Sequence, residues 1–225
     1  MNPVISFSLF GTNMKYYVGA ERNVQDIKEL LPNWDINIYH NNNVLPDYKL
    51  RLSELGANLI NVEDVILGNK TSDHFPYFWR FISFLDNRIT LVRDLDSRIS
   101  TREITYINRW LDSDCDYFII RDHPWHSPVP SGLFGIKRKI PKFETHLANY
   151  IENNELVWGT DQTVLQLYIE TIDNNNIYYC GYDDKTNYIP RDDENFFIGM
   201  QLDEYDKPTK PSGELCLKYL KEINL

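Results

Sequence analysis

The chain opens with an apolar run followed by helical spacing. Val4 to Phe10 is a run of β-prone residues that ends at Gly11. Four apolar residues then recur at the spacing of one helix face before Pro32, namely Val24, Ile27, Leu30 and Leu31. The pattern predicts a strand followed by a helix.

The same alternation continues along the next segment. Asp35 to Tyr39 predicts a second strand, Leu50 to Leu55 predicts a helix that ends at Gly56, and Leu59 to Val62 predicts a third strand. Strands that alternate with helices are typical of parallel sheets. We therefore expect an α/β fold with a mostly parallel central sheet that is flanked by helices.

The middle of the chain repeats this order. Tyr77 to Leu85 predicts a helix, and the run from Ile89 to Asp96 predicts a strand that ends in two aspartates. Ser100 and Glu103 have the spacing of a capping box, which opens a helix with Ile104, Ile107 and Leu111 facing inward. Asp116 to Ile120 predicts the next strand.

The second half of the chain is less regular. We expect a long Pro-rich connection from Asp122 to Ile136, and long loops often carry function. A helix from about Asp161 to Ile172, a strand from Ile177 to Cys180 and a last helix near Leu215 to Leu220 follow.

Composition limits the class of protein. The 225 residues are 42% hydrophobic and 14% aromatic, which predicts a folded chain, and we expect one domain over residues 1–225. No apolar run approaches the roughly 20 residues that a membrane span needs. The first residues lack the features of a secretion signal, so we expect a cytoplasmic protein. Cys115, Cys180 and Cys216 then fit reduced thiols.

The charge balance limits the partners. A net charge of −10 works against broad contact with phosphate backbones, so we expect no nucleic-acid partner. An acidic protein that binds a nucleotide needs local positive charge from a metal or from a few arginines. The candidates are Arg80, Arg93, Arg98 and Arg102.

Asp94 and Asp96 are the central candidates for metal chemistry. They close a predicted strand, where residues two apart share one side, so both carboxylates can face one hard cation while Leu95 points into the core. Ligands of open α/β sheets bind beyond the carboxyl ends of the strands. Phe10 with Gly11, the aspartate pair, and the segment from Arg121 to His123 all lie at such ends, which predicts one shared cleft.

Several short segments together resemble GT-A glycosyltransferases, including domains of this type encoded by large viruses. The segments are Trp79 to Phe81, Arg93 to Arg98, Arg102 to Glu103, Trp110 to Ser113, Arg121 to Pro124, Gly132 to Gly135, Gly159 to Gln162 and Phe197 to Gly199. The resemblance implies a Rossmann-like sheet and a Mn²⁺ or Mg²⁺ ion at Asp94 and Asp96. It also implies transfer of a sugar from a nucleoside diphosphate donor, UDP-sugars being favoured, to a glycan or glycoprotein.

The resemblance also assigns expected roles. Arg80 would reach the donor with Arg93, and Phe10, Gly11, Tyr16 and Tyr17 would line the base and ribose. Asp122 and His123 would contact donor or acceptor hydroxyls, and Gly132 and Gly135 would allow close approach of an acceptor sugar. Asp161 and Gln162 form the second catalytic candidate. The residues to which the resemblance gives these expected roles are Arg80, Arg93, Phe10, Gly11, Tyr16, Tyr17, Asp122, His123, Gly132, Gly135, Asp161 and Gln162.

One departure concerns the third metal ligand. Many enzymes of this kind use a late histidine, but none follows His146, so the ligand would be Asp183, Asp184, or water and phosphate. His123 and His126 lack the further ligands of a zinc site. An inverting enzyme needs a carboxylate base such as Asp122 or Asp161. The motif from Gly159 to Gln162 instead resembles retaining families, and we therefore favour a retaining mechanism.

Two alternatives remain open from the sequence. One is a haloacid-dehalogenase-like phosphatase that uses Asp94 and Asp96, although its motif normally ends the first strand. The other is a catalytically inactive sugar-binding module. The second would bind nucleotide or sugar without turnover in the presence of Mn²⁺.

Overall fold

A mixed seven-stranded sheet forms the centre of the structure. The computed structural model describes residues 1–64, 66–67, 70–71, 75–126, 128–182, 187–191, 196–210 and 212–222. The strands are β1 (Val4–Leu9), β2 (Asp35–His40), β3 (Asn58–Asn61), β4 (Ile66–Leu67), β5 (Lys70–Thr71), β6 (Thr90–Arg93), β7 (Tyr117–Arg121), β8 (Leu133–Ile136) and β9 (Ile177–Gly181). The sheet order is β3-β2-β1-β6-β8-β7-β9, and β4 pairs with β5 separately.

Helices lie between most of the strands. The α-helices are α1 (Met14–Leu30), α2 (Pro46–Glu54), α3 (Thr101–Leu111), α4 (Phe143–Asn153), α5 (Thr160–Ile169) and α6 (Ser212–Glu222). The 3₁₀ helices are Val62–Asp64, Pro76–Leu85, Pro124–His126 and Asn174–Asn176. None of the helices described is both long enough and apolar enough to cross a bilayer.

The predicted mostly parallel sheet is confirmed. β1 runs parallel to β2 and β6, β2 to β3, and β7 to β9. β8 is antiparallel to both β6 and β7. The sequence analysis was wrong about this strand, because it assigned Leu133 to Ile136 to a Pro-rich connection. Helix α4 was also missed.

Strand alternation sends neighbouring residues into two cores. Leu91, Phe118 and Ile120 pack on the face that is covered by α1 and α3, in a cluster with Ile27, Ile107 and Trp110. Val92, Tyr117 and Ile119 pack on the opposite face with Phe81, Phe143, Val164 and Leu165, from the long 3₁₀ helix, α4 and α5. A sheet covered on both faces explains the near-continuous apolar strands.

Three local predictions need correction. The segment near Tyr77 to Leu85 is a 3₁₀ helix that begins at Pro76, and α2 begins at Pro46, a turn earlier than expected. Ser100 does cap α3 by accepting from Glu103 N at 3.2 Å. The Glu103 carboxylate, however, pairs with Arg93 at 3.1 Å. Only the serine half of the predicted capping box is therefore observed.

Candidate functional site

A turn, and not a strand, presents Asp94 and Asp96. Strand β6 ends at Arg93, so the predicted alternation along a strand does not position the two carboxylates. Leu95 is buried, as expected. Both aspartates nevertheless line one small cavity of about 110 Å³.

Helix α1 packs against the turn that carries Asp94 and Asp96. A Cβ at Gly19 would overlap the Leu95 carbonyl, so only glycine allows the helix to pack this closely. Asn23 donates to Ser97 O at 2.8 Å and accepts from Ile99 N at 3.3 Å. Arg98 also donates to Leu95 O, at 3.1 Å. Contacts from Gly19, Asn23 and Arg98 therefore hold the backbone that carries both aspartates.

Asp94 faces Arg80. Asp94 Oδ1 pairs with Arg80 Nη1, and the Asp94 side chain is 47% exposed. Gly132 lies directly against the other carboxylate oxygen, since a Cβ at this position would overlap Asp94 Oδ2. The glycine predicted to admit an acceptor sugar thus makes room for Asp94. Gly135 instead packs in the core, where a Cβ would lie 2.6 Å from Leu91 Cδ2.

Asp96 faces a lysine that the sequence analysis did not select. Lys15 Nζ lies 2.8 Å from Asp96 Oδ2, and the two side chains are 16% and 6% exposed. Burial raises the pKa of Asp96, as does the nearby Asp94 carboxylate, and Lys15 opposes both effects. Burial lowers the pKa of Lys15, but its interactions with Asp96 outweigh this and the net shift is upward.

Arg80 joins the aspartate turn to the start of α5. Its Nη2 donates to Ser131 Oγ at 2.9 Å and to Asp161 Oδ2 at 2.7 Å, in addition to the pair with Asp94. Ser131 Oγ donates to the same Asp161 oxygen at 2.7 Å. The Arg80 side chain is only 6% exposed, which excludes a surface arginine on an amphipathic helix. Arg80 therefore sets the spacing between Asp94 and Asp161.

Helix α5 begins at a glycine in the left-handed region. Gly159 is the N-cap, with φ +86°, and Asp161 and Gln162 occupy the first turn. Asp161 is therefore not the N-cap of α5. An acidic residue in the first turn is favoured by the helix dipole, and the remaining contacts of Asp161 are with Arg80 and Ser131. Gln162 lines the small cavity with it.

A second, larger cavity of about 440 Å³ adjoins the small one. The two share six lining residues: Tyr16, Asp94, Ser131, Trp158, Gln162 and Gln201. Trp158 is 79% exposed, and Trp125, which lines only the larger cavity, is 50% exposed. One continuous cleft therefore extends from the aspartate turn to two exposed tryptophans.

Aromatic side chains form one wall of the small cavity. Phe10, Tyr16 and Tyr77 line it. Phe10 stacks on Tyr16 at 6.3 Å between ring centroids and meets Tyr77 edge-on at 5.3 Å. Gly11 lies in the turn after β1 at φ +72°, and Tyr17 is buried in the core. The structure brings Phe10 and Tyr16 to the cleft, but not Gly11 or Tyr17.

His123 and His126 line the larger cavity. His123 Nδ1 accepts from Trp125 N at 3.0 Å, so Nε2 carries the proton toward Cys216 O at 3.2 Å. Burial lowers the pKa of His123. Burial, followed by His123 itself, lowers the pKa of His126 to about 3. His123 thus faces the cleft, as expected, and also ties α6 to the cavity wall.

Asp122 and Arg93 lie behind the cleft. Asp122 is completely buried, and its carboxylate accepts from Arg102 at 2.5 and 2.6 Å and from Ile198 N at 2.8 Å. Arg93 is bound by Glu103, Gly132 O and Arg98 O. Neither lines the two cavities. The structure therefore does not bring Asp122 or Arg93 together with the other predicted site residues.

The sequence analysis did not select six of the cleft residues: Lys15, Tyr77, Trp125, Ser131, Trp158 and Gln201. Trp158 lies directly before the Gly159 to Gln162 segment, so its position beside a motif was a usable signal. Lys15 lies in the first turn of the helix that follows the first strand, where anions commonly bind, which was a second signal. Nothing in the sequence around Ser131 or Gln201 marked them.

Asp94 and Asp96 offer two carboxylates of the kind that hard cations bind. Carboxylate oxygens are the ligands that Mn²⁺ and Mg²⁺ prefer. The Lys15 ammonium beside Asp96 indicates that this carboxylate stabilises a positive charge. Among the residues described, no group of three histidine, cysteine, aspartate or glutamate side chains could hold a metal. Asp183 and Asp184, the predicted third ligands, lie outside the described residues.

Comparisons with known proteins identify the fold. No protein-family model matches the chain, and no curated protein matches it by sequence. Among solved structures, the glycosyltransferase GlyE of Streptococcus pneumoniae TIGR4 is similar, at 18% identity and a TM-score of 0.53 over 83% of this chain and 46% of GlyE.

A mycobacterial protein is similar at 10% identity and a TM-score of 0.50 over 80% of this chain and 65% of that protein. A glucosyl-3-phosphoglycerate synthase of Mycobacterium tuberculosis matches at 10% identity and a TM-score of 0.48, over 84% of this chain and 73% of that one. The chain thus spans less than two thirds of the first two proteins. It has the GT-A fold, as the sequence predicted.

Proposed function

We propose that this protein is a metal-dependent glycosyltransferase. It moves a sugar from a nucleoside diphosphate sugar, with UDP-sugars favoured, to a glycan or glycoprotein acceptor. The observation that carries the proposal is the meeting of Asp94, Asp96, Arg80 and Asp161 in one cavity beyond the carboxyl ends of β1 and β6. Ligands of open α/β sheets bind at this edge. The shared fold of the glycosyltransferase GlyE supports the same conclusion.

The small cavity is assigned to the donor. Phe10, Tyr16 and Tyr77 offer aromatic faces on which a pyrimidine base and ribose can pack. Asp94 and Asp96 would hold Mn²⁺ or Mg²⁺, which when bound supplies Lewis-acid stabilisation of the departing diphosphate. Arg80 keeps Asp94 and Asp161 at a fixed separation, so the polar groups need not reorganise during the reaction.

The larger cavity is assigned to the acceptor. Trp125 and Trp158 expose large aromatic faces at its mouth, and an exposed large apolar group is an informative departure from ordinary surface composition. Sugar rings present C–H faces that pack on such rings. Gln162 and Gln201 line both cavities and would bind hydroxyl groups where the two substrates meet.

The described carboxylates favour a retaining reaction. Asp122 is buried against Arg102, and Asp161 Oδ2 accepts from both Arg80 and Ser131. A general base must be within reach of the acceptor proton and free to accept it. We therefore propose that a donor phosphate oxygen takes this proton, and that Asp161 and Gln162 position the reacting sugar. The GT-A fold argues against the haloacid-dehalogenase alternative.

The test is nucleotide binding by matched aspartate variants. UDP affinity would be measured by calorimetry with Mn²⁺, Mg²⁺ or EDTA in the parent protein and in Asp94→Asn, Asp96→Asn and Asp86→Asn. Asp86 is the control because it pairs with Arg88 and is 49% exposed, close to the 47% of Asp94, but it lines neither cavity.

We expect metal-dependent UDP binding in the parent protein and in Asp86→Asn. Affinity should fall at least about ten-fold in Asp94→Asn and Asp96→Asn, which corresponds to about 1.4 kcal/mol. UDP affinity that is the same in EDTA and in Asp96→Asn would refute the metal site. Binding without release of UDP from any UDP-sugar and glycan acceptor would favour the inactive module.

A further inference from the structure

Lys15 occupies an unusual position for a lysine. It lies in the first turn of α1, two residues after the N-cap Asn13, and this turn contains no acidic residue. The positive end of the helix dipole disfavours a cation at this place. The ammonium is nevertheless held 2.8 Å from Asp96 and 4.6 Å above the Tyr16 ring. The ion pair with Asp96, and not the stability of the helix, therefore explains the position of Lys15.

Of the two partners, Asp96 is the fixed one. Its carbonyl accepts from Leu202 N at 2.6 Å, and its turn is held by Gly19 and Asn23. Lys15 has a flexible side chain that also borders the larger cavity and an outer groove lined by Asn13, Asp203, Glu204, Lys207, Pro208, Thr209, Lys210 and Glu214. If the pair separates, the Lys15 side chain has space to move, whereas the backbone of Asp96 is held in place.

We propose that Lys15 is the counter-cation of Asp96 in the donor-free protein, and that a divalent cation and the donor diphosphate replace it together. This inference rests on the proposed function. Two cations at one shielded carboxylate repel each other, so a metal ion alone must first displace the ammonium. A diphosphate offers the displaced ammonium a new anionic partner. Lys15 thereby makes metal binding depend on the donor.

The test compares Mn²⁺ binding in variants of two lysines on the same helix. The concentration of free Mn²⁺ would be measured by electron paramagnetic resonance during titration, with and without UDP. The proteins are the parent, Lys15→Met and Lys28→Met. Lys28 is the matched control because it lies in the last turn of α1 and is exposed. Circular dichroism of each variant would establish that it is folded, and Lys15→Gln replaces Lys15→Met if that variant is unfolded.

We expect Lys15→Met to bind Mn²⁺ alone at least ten-fold more tightly than the parent protein. The increase in Mn²⁺ affinity that UDP causes should be at least five-fold smaller in Lys15→Met. Lys28→Met should match the parent in both quantities.

Equal or weaker Mn²⁺ binding by Lys15→Met overturns the inference, as does an absence of Mn²⁺ binding by both proteins. If the parent protein still binds UDP in Mn²⁺, only the role of Lys15 is refuted. If the parent protein does not bind UDP under any condition, the proposed function fails as well.

Discussion

Two groups of ion pairs occupy neighbouring layers of this molecule and differ in what they do. The cleft group joins Asp94 and Asp161 to Arg80, and Asp96 to Lys15. The rear group joins Arg93 to Glu103 and Arg102 to Asp122, and all four of these side chains are 6% exposed or less. The cleft carboxylates border open cavities, whereas those of the rear group do not.

The difference shows that the segment from Arg93 to Arg98 contains residues that face the cleft, such as Asp94, and residues that lie behind it, such as Arg93. The consecutive residues Arg93 and Asp94 enter different groups although they are adjacent in sequence. The rear group positions the wall of the larger cavity, since Asp122 accepts from Ile198 N and Arg102 donates to Ile189 O at 2.7 Å. We expect rear-group changes to affect folding and cleft changes to affect binding.

The largest effect should follow from Asp122→Asn. This change leaves the Arg102 guanidinium buried without its carboxylate partner, which in proteins costs about 3–5 kcal/mol of folding free energy. Urea unfolding of the purified variant measures the loss.

Asp94→Asn is the comparison for this prediction. Asp94 is 47% exposed and Arg80 keeps its partner Asp161, so the loss should be about 1 kcal/mol or less. Equal losses of stability in the two variants would remove the distinction between the groups.

A smaller effect should appear as pH dependence of the rear group. Burial raises the pKa of Glu103 from the ordinary 4.5 to about 7, although Arg93 opposes the shift. The folded protein then binds this proton more tightly than the unfolded chain. Its stabilising contribution is complete below pH 4.5 and is lost as the pH rises to about 7.

The measurement is the free energy of unfolding at about pH 5 and about pH 8 in the parent protein and in Glu103→Gln. The decrease in the parent protein should exceed that in the variant by up to about 3 kcal/mol, at about 1.4 kcal/mol for each pKa unit. Identical pH profiles would show that Glu103 is ionised in both states.

The smallest effects should separate two glycines at either end of one short segment. Gly132→Ala would press on the Asp94 carboxylate, so we expect at least about ten-fold weaker UDP binding with a stability change below about 1 kcal/mol. Gly135→Ala would press on Leu91 in the core, so we expect a stability loss of about 1–3 kcal/mol and unchanged UDP affinity.

Calorimetry and urea unfolding of both alanine variants check this pair of predictions. A stability loss in Gly132→Ala equal to that in Gly135→Ala would place Gly132 with the core. Unchanged UDP affinity in Gly132→Ala would remove Asp94 from the binding site.

Local patterns were sufficient for most of the fold. The alternation of apolar runs and helical spacing correctly predicted β1, α1, β2, β3, β6, α3, β7, α5 and β9. These patterns report burial, and burial on two faces of a sheet requires apolar strands between amphipathic helices. β8 was missed because its four residues follow three prolines and Gly132 and include Gly135, so the segment had the composition of a loop.

The candidate site was predicted in part. The sequence brought Asp94, Asp96, Arg80, Asp161, Gln162, Phe10, Tyr16 and His123 to attention, and the structure places each of them on a cavity wall. Asp122 and Arg93 also follow or end predicted strands, but their side chains form buried ion pairs and line neither cavity. Lys15 and Ser131 gained their importance only from partners that are far away along the chain.

The sequence by itself therefore determined most of the element order, the GT-A fold and the strand ends where we propose that the donor binds, because these depend on short-range periodicity and on short recognisable motifs. Only the tertiary structure decided which charges face the cleft and which lie behind it. That choice depends on how closely α1, β8 and α5 approach the turn after β6, through contacts such as Gly19 with Leu95, Gly132 with Asp94, and Arg80 with Asp161. Ion pairing acts over a few ångströms in space, and residues that meet at this range can be separated by any number of positions along the chain.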